Sequence, residues 1–110
     1  MLEMLLQTDV EEAIEQDLGL SDTDAANGSW KVVIHNDDVT PYDFVIMILQ
    51  TIFQLSPVAA ELVTYIAHSM GLALVAVLPQ KEAQRRVGKA HFAAQLEGYP
   101  LTFSLESDDN

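Results

Sequence analysis

Two hydroxyl–proline pairs, Thr40–Pro41 and Ser56–Pro57, constrain the fold most, because each marks the start of a helix. A serine or threonine caps the free N–H groups of the first turn, and proline suits the first helical position. Gly71 then provides a stop for the second helix. The pattern therefore predicts two successive helices, with Thr40 and Ser56 as their N-caps.

Further signals support the first of these helices. Asp43 lies where the carboxylate of a capping box belongs, and Val39 and Phe44 can form a hydrophobic staple around the helix start. Apolar residues at helical spacing then predict its core face: Phe44, Val45, Ile48, Leu49 and Ile52.

Three apolar segments around the helices have the pattern of strands. They are residues 30–34 (WKVVI), residues 72–78 (LALVAVL), predicted to be a buried strand, and residues 100–106 (PLTFSLE), which alternate. Pro79 opens a third helix that runs to a stop near Gly98. The order β-α-α-β-α-β predicts an α+β fold: a single compact two-layer domain with a three-stranded antiparallel sheet and three helices.

Charge divides the 110-residue chain into unequal parts. Its net charge is −12, from 17 acids and five bases, and residues 1–29 contain eight of the acids and no base. We expect residues 1–29 to be an acidic, largely flexible N-terminal extension, with some apolar residues at helical spacing. The core domain is predicted over residues 30–106, with a frayed C-terminus over residues 107–110.

The composition excludes several classes of function. The acidic balance repels phosphates, so we expect no nucleic-acid partner. No apolar run is long enough to span a bilayer, and the first residues lack the basic start of a secretory signal. Cysteine is absent, which rules out disulfides and thiolate chemistry and fits a reducing compartment, cytoplasmic or stroma-like.

The polar run from His35 to Asp38 allows four interpretations, of which two are chemical. A metal site would draw on His35, Asp37, Asp38 and either His68 or His91. Strand alternation, however, puts His35 and Asp37 on the face opposite Asp38. An acid/base pair of Asp38 and His68 would lack an activated nucleophile or a phosphate-binding loop. We therefore expect neither catalysis nor a bound metal or other cofactor.

The other two interpretations stay open on the residues alone. Asparagine and aspartate before a helix often form local turns that satisfy backbone N–H groups. Alternatively, Asn36, Asp38 and a histidine could accept hydrogen bonds from an ammonium group, and a carboxylate makes such bonds stronger. Beside an apolar pocket, this set would recognise the N-terminal residue of a peptide.

Three segments resemble the ClpS adaptors, which deliver N-degron substrates to the Clp AAA+ protease. They are WKVVIHNDDVTPYDFVIMILQTIF, IAHSMGLALVAVL and GYPLTFSLE, and the resemblance covers about residues 30–106. The motif Asn-Asp-Asp-x-Thr-Pro after a strand, a histidine about thirty residues later, and Pro-Leu before the last strand make it specific.

The resemblance implies the residues of a binding site. The α-amino group of the substrate would be bound by Asn36, Asp37, Asp38 and His68. The first side chain, from Leu, Phe, Tyr or Trp, would enter a pocket lined by Ile34, Thr40, Tyr42, Val45, Thr64, Ala67 and Leu101. Tyr42 and Thr64 stand where the family often has methionine, and Ala67 replaces a larger aliphatic. We therefore expect a shifted preference, with some tolerance for branched aliphatic first residues.

The resemblance also implies a protein partner, the N-domain of a ClpA- or ClpC-type AAA+ ATPase. Docking would use the third helix, through Lys81, Arg85 and Arg86. Lys81 stands where a glutamate is typical, so the particular ATPase stays open. The ATPase pore would engage the N-terminal extension during delivery, and we expect a monomer. The alternative is a regulator that binds the ATPase without using the pocket.

Overall fold

A computed structural model of the chain describes residues 28–108. The strands are β1 (Ser29–His35), β2 (Leu72–Pro79) and β3 (Thr102–Ser107). The helices are α1 (Tyr42–Thr51), α2 (Pro57–Met70) and α3 (Gln80–Leu96). The order β1-α1-α2-β2-α3-β3 confirms the predicted α+β fold. The predictions for residues 1–27 and for residues 109–110 lie outside the described residues.

The sheet has β1 as its central strand, with the order β2-β1-β3 and antiparallel pairing on both sides. Ile34 of β1 pairs with Ala73 on one side and with Phe103 on the other. All three side chains are buried, because this face of the sheet packs against the helices. The β-branched run of β1 therefore crosses the middle of the core.

All three helices contribute side chains to that core. Val45, Ile48 and Leu49 of α1 are buried, as their spacing predicted. The face of α3 that packs against the sheet consists of small residues, which let the helix lie close: Ala83, Val87, Ala90 and Ala94. None of the helices in residues 28–108 has the length and hydrophobicity that a membrane-spanning helix needs.

The prediction that β2 is a buried strand is wrong for one of its faces. Ala73 and Val75 are buried, but Leu72, Leu74 and Val77 are 45–51% exposed. β2 is an edge strand, so its side chains on the face away from the helices have a neighbouring strand on one side only. They therefore remain half exposed within residues 28–108. An uninterrupted apolar run did not distinguish an edge strand from a central one.

The ends of α2 agree with the predicted signals. Ser56 is the N-cap and its hydroxyl oxygen accepts the N–H of Ala59 at 3.1 Å, with Pro57 as the first helical residue. Gly71 ends the helix at φ 94°, a left-handed conformation that glycine adopts without strain. The carbonyl of Gly71 accepts the N–H of Asn36 at 2.9 Å, which ties the end of α2 to the end of β1.

The predicted start of α1 needs correction. Pro41, rather than Thr40, is the N-cap residue, and no side chain caps the helix, so Asp43 forms no capping box. The cause is a competing hydrogen bond, because the Thr40 hydroxyl donates to Asp37 Oδ2 at 2.8 Å. The hydroxyl that would have capped the helix is used by the preceding loop.

The predicted hydrophobic staple is also wrong. Val39 is 63% exposed and is not part of the core. Phe44 packs edge-on against Tyr99 instead, with ring centroids 4.9 Å apart and an interplanar angle of 73°. The partner of Phe44 is thus distant in sequence, and a local pattern could not reveal it.

Candidate functional site

A cavity of about 200 Å³ lies where the end of β1 meets the start of α1 and the C-terminal half of α2. Its lining comprises Ile34, His35, Asn36, Asp37, Asp38, Thr40, Tyr42, Val45, Thr64, Ala67, His68 and Leu101. These are all eleven residues that the resemblance implied, together with His35. Because a cavity of about 150 Å³ can hold benzene, this one has room for a single bulky side chain.

The floor of the cavity is apolar and buried. It consists of Ile34, Val45, Thr64, Ala67 and Leu101, each at most 8% exposed. The hydroxyl of Thr64 donates to the carbonyl of Ala60 at 2.7 Å, within its own helix. Its donor is therefore satisfied, and Thr64 can offer its methyl group to a ligand. This floor suits an apolar group with no need for a polar contact.

The rim of the cavity is polar and exposed, and consists of Asn36, Asp38 and His68. Within residues 28–108, the side chains of these three residues make no hydrogen bond to the protein. Asp38 offers two carboxylate oxygens, Asn36 a carbonyl oxygen, and neutral His68 one ring nitrogen. The rim therefore holds a set of acceptors that a ligand with several N–H donors could satisfy.

The backbone supports this rim in two ways. The hydrogen bond from Asn36 N–H to Gly71 holds the two sides of the rim together, since His68 lies in the last turn of α2. The C-terminal end of a helix carries a partial negative charge, which favours a cation nearby. An ammonium group at the rim would thus meet a carboxylate and a helix C-terminus.

Tyr42 stands at the junction of floor and rim. Its ring is 41% exposed and lies edge-on to the His68 ring, with centroids 6.1 Å apart and an interplanar angle of 79°. Such edge-to-face pairs are favourable and hold both rings in a defined orientation. Tyr42 therefore both narrows the opening and positions His68.

Asp37 differs from its neighbour Asp38, because its carboxylate is fully engaged in the loop before α1. One oxygen accepts the N–H groups of Val39 and Thr40 at 2.8 and 2.6 Å, and the other accepts the Thr40 hydroxyl. Burial alone would raise the pKa of Asp37. The bonds from Thr40 and Val39 outweigh it and hold that pKa below its usual value.

Asp37 therefore supports the loop that presents Asn36 and Asp38. Its assignment to the amine-binding set stays a prediction, and the geometry gives it a second task. The turn interpretation and the ammonium interpretation of the sequence motif thus apply to different residues of the same run.

His35 is the one lining residue that the site prediction missed. Its Nε2 atom lies 2.7 Å from the Ser104 hydroxyl of β3, so the ring is fixed on the sheet. The only available signal was its position between Ile34 and Asn36. His91 lies outside the cavity and accepts the N–H of Phe103 at 3.0 Å, as expected for a structural histidine. Across residues 28–108, no group of three or more acidic or histidine side chains could hold a metal ion.

Lys81, Arg85 and Arg86, the implied docking residues, all lie on α3, away from the cavity. Arg85 donates to Glu82 Oε1 at 2.8 Å, and Arg86 Nε donates to Glu82 Oε2 at 3.0 Å. Arg86 also donates to the carbonyl of Ile52, beyond the end of α1, at 3.2 Å. Burial alone would raise the pKa of Glu82, but the two guanidinium groups hold it below its usual value.

The fold and the cavity together define a small binding domain with an apolar pocket and an acceptor-rich rim. Residues 25–104 match the family model described as ATP-dependent Clp protease adaptor protein ClpS. The chain therefore belongs to the ClpS family of Clp protease adaptors.

Individual relatives support this membership. The chain is 35% identical over 80 residues to the ATP-dependent Clp protease adapter protein ClpS 2 of Rhizobium meliloti, which covers 73% of this chain and 79% of that protein. It is 40% identical over 77 residues to ClpS of Nautilia profundicola, covering 70% of this chain and 79% of that protein.

A solved structure is also similar. It is Agrobacterium tumefaciens ClpS2 bound to L-phenylalaninamide, at 32% identity and a TM-score of 0.71. The match covers 74% of this chain and 98% of that chain.

Proposed function

We propose that this ClpS family member binds the free α-amino group and the bulky hydrophobic first side chain of N-degron substrates, and delivers them to a Clp AAA+ unfoldase. One observation carries the proposal: a buried apolar floor and an exposed rim of uncommitted acceptors share one cavity. A ligand that satisfies both must join an ammonium group to an apolar side chain within a few bonds. The N-terminal residue of a protein has this chemistry.

Amine recognition would be carried out by the rim. An ammonium group has three N–H donors, and Asn36, Asp38 and His68 provide three acceptors. Asp38 adds a negative charge, which makes its bond the strongest of the three. Asp37 would act mainly through the loop, because its oxygens already accept three hydrogen bonds.

The ligand of the Agrobacterium relative supports this reading. L-phenylalaninamide contains a primary amine and a benzyl side chain, the two chemical parts that the rim and the floor suit. In this chain the same type of ligand would place its ring among Val45, Thr64 and Ala67.

Three pocket residues would set the preference among first side chains. Thr64 and Ala67 are both small and almost fully buried, at 3% exposure each, so they leave space in the floor. Tyr42 fills part of the opening from the side of α1. We expect Leu, Phe, Tyr and Trp to bind with an altered ranking, and Ile or Val to bind measurably, because a branched Cβ meets little steric resistance.

A peptide series tests both parts of the proposal. Fluorescent peptides that differ only in the first residue would be titrated with the protein, together with N-acetylated copies of the Phe and Leu peptides. Acetylation removes the positive charge of the amine and leaves only one of its three N–H donors. We expect acetylation to abolish binding. Equal binding of free and acetylated peptides would refute amine recognition. A failure of the Ile and Val peptides to bind would refute only the expected tolerance for branched first residues.

Delivery would follow from docking of α3 on the N-domain of a ClpA- or ClpC-type ATPase through Lys81, Arg85 and Arg86. The ion pairs with Glu82 hold the two arginines in place on the helix. The N-terminal extension would then be engaged by the ATPase. Removal of residues 1–25 should leave peptide binding intact and slow substrate degradation, whereas equal degradation rates would contradict this role.

The alternative function, a regulator that binds the ATPase without using the pocket, makes a different prediction. Such a protein would bind the ATPase N-domain but none of the free-amine peptides. The peptide series therefore separates the two functions directly.

A further inference from the structure

One face of α3 has an unusual division of chemistry. We call it the α3 stripe, and it consists of Lys81, Arg85, Lys89, Phe92 and Leu96. Spacings of three and four residues place these side chains on one side of the helix. Its first half is basic, and its second half is apolar, with Phe92 and Leu96 62% and 71% exposed. The opposite side of α3 packs against the sheet.

The charge of α3 contrasts with that of the chain. The helix has four bases and a single acid, Glu82, for a net charge of +3, whereas the whole chain has −12. Four of the five bases of the protein are therefore on this helix. Opposite charges attract over about 10 Å at moderate salt, so the α3 stripe favours an acidic partner that also offers apolar side chains.

The N-terminal segment of this chain has that combination. Residues 1–27 contain eight acids and no base. Apolar residues at approximate helical spacing are interleaved with these acids: Leu2, Leu5, Leu6, Val10, Ala13 and Ile14. The acids match the basic half of the α3 stripe, and the leucines match Phe92 and Leu96.

We propose that the segment of residues 1–27 docks on the α3 stripe of its own chain. The segment joins the domain at the start of β1, one of the three strands against which α3 packs. Residues 15–27 alone can span at most about 45 Å, against about 25 Å for the length of α3. The covalent connection also gives the segment a high effective concentration at the helix, so individually weak contacts suffice.

One consequence rests on the proposed function. If the ATPase docks on α3, the N-terminal segment and the ATPase compete for the same face, and the segment is released for delivery when the ATPase binds. The docking itself does not depend on that function. It can be tested without peptide or ATPase, so its failure would leave amine recognition untouched.

The experiment uses a spin label in the full chain. Because the chain has no cysteine, Thr8→Cys gives one labelling site in the segment without changing an acid or a leucine. Paramagnetic broadening of backbone amide signals then reports which residues the segment approaches. We expect broadening centred on Arg85, Lys89 and Phe92 at about 0.01 M salt, and at least about twofold less at about 1 M salt, where charges are screened.

Matched variants identify the surface. Lys89→Gln removes one charge from the α3 stripe, and Lys31→Gln removes one from β1, outside the stripe. We expect Lys89→Gln to reduce the broadening on α3 about twofold and Lys31→Gln to leave it unchanged. A second sample mixes two chains: one has the spin label but no isotope label, and the other has the isotope label but neither the cysteine nor the spin label. Broadening in this mixture reports contacts between chains, whereas broadening only in the doubly labelled chain reports contacts within one chain.

Four results would overturn the proposal. They are broadening centred on the exposed apolar residues of α2 (Val58, Leu62 and Tyr65), broadening that appears only between chains, broadening that salt does not change, and broadening spread evenly over the domain. The first two would assign the segment a different location, the third would show that charge attraction does not hold it there, and the fourth would show that it has no fixed location.

Discussion

The rim of the cavity and helix α3 both have polar side chains, but only those of α3 are already hydrogen-bonded to each other. Within residues 28–108, the side chains of Asn36, Asp38 and His68 have no hydrogen-bond partner, although all three line one cavity. On α3, by contrast, Glu82 accepts hydrogen bonds from Arg85 and Arg86. The difference matters because an acceptor that already has an internal hydrogen bond must lose that bond before it binds a ligand, which offsets the free energy of binding.

The same contrast occurs between two neighbouring residues. Asp37 accepts three hydrogen bonds from its own loop, whereas Asp38 accepts none from the described residues. Two identical side chains at adjacent positions therefore have separate tasks, one in the loop and one at the rim. Substitutions at the two aspartates should therefore have different effects.

Asp38→Asn should remove most of the affinity for a peptide with a free N-terminus. A hydrogen bond to a charged group contributes about 1.5–3 kcal/mol, so the dissociation constant should rise about 10- to 100-fold. Fluorescence anisotropy with a Phe-first peptide measures it. Asp43→Asn, on an exposed residue of α1 outside the cavity, is the matched control and should have no effect. Equal affinities for wild type and Asp38→Asn would remove Asp38 from the site.

Asp37→Ala should instead destabilise the domain. It removes the acceptor of two backbone N–H groups and a hydroxyl, so the free energy of unfolding should fall by about 1–2 kcal/mol. Urea denaturation measures the change, with Asp38→Ala as the control that should be nearly neutral. If both variants lost the same stability, the two aspartates would not be divided as described.

Glu82→Gln should have a smaller effect on stability and none on peptide binding. The carboxylate and both guanidinium groups are partly exposed, and such pairs contribute at most about 1 kcal/mol. Thermal unfolding measures the effect on stability, with Glu97→Gln, a substitution of an exposed residue, as the control. A loss of peptide affinity in Glu82→Gln would show that α3 and the cavity are coupled.

Acid should weaken the fold through the same two carboxylates. The folded protein holds the pKa values of Asp37 and Glu82 below their usual values, which in unfolded chains are about 3.9 and 4.3. Their stabilisation is therefore complete above about pH 5 and is lost as the pH falls through the folded pKa values. Urea midpoints from pH 7 to 3 should fall less steeply for the double variant Asp37→Ala, Glu82→Gln. An unchanged slope would contradict this.

Much of the fold could be predicted because its signals are local. Ser56, Pro57 and Gly71 delimit α2 by backbone chemistry that depends on few neighbours. The prediction of Thr40 as the N-cap of α1 was wrong because Thr40 has a second partner, Asp37, and the sequence does not show which of two competing hydrogen bonds forms. The prediction that Leu74 is buried was wrong because the order of the strands in the sheet depends on tertiary structure, which a local pattern does not show.

The site shows the same limit. A motif resemblance named eleven lining residues, and all of them lie around one cavity. It could not show that the Asp37 carboxylate is used internally, or that Arg86 reaches the carbonyl of Ile52, 34 residues away. Both facts depend on distances that only the folded chain defines.

Amine recognition is tested most directly by a comparison of L-phenylalaninamide with N-acetyl-L-phenylalaninamide, which differ only at the amine. Amide chemical shifts of the isotope-labelled protein would be followed during titration with each compound. We expect saturable shifts at Asn36, Asp38, Ala67 and His68 with the free amine, and none with the acetylated compound. Similar shifts with both compounds, or shifts located away from the cavity, would refute amine recognition at this site.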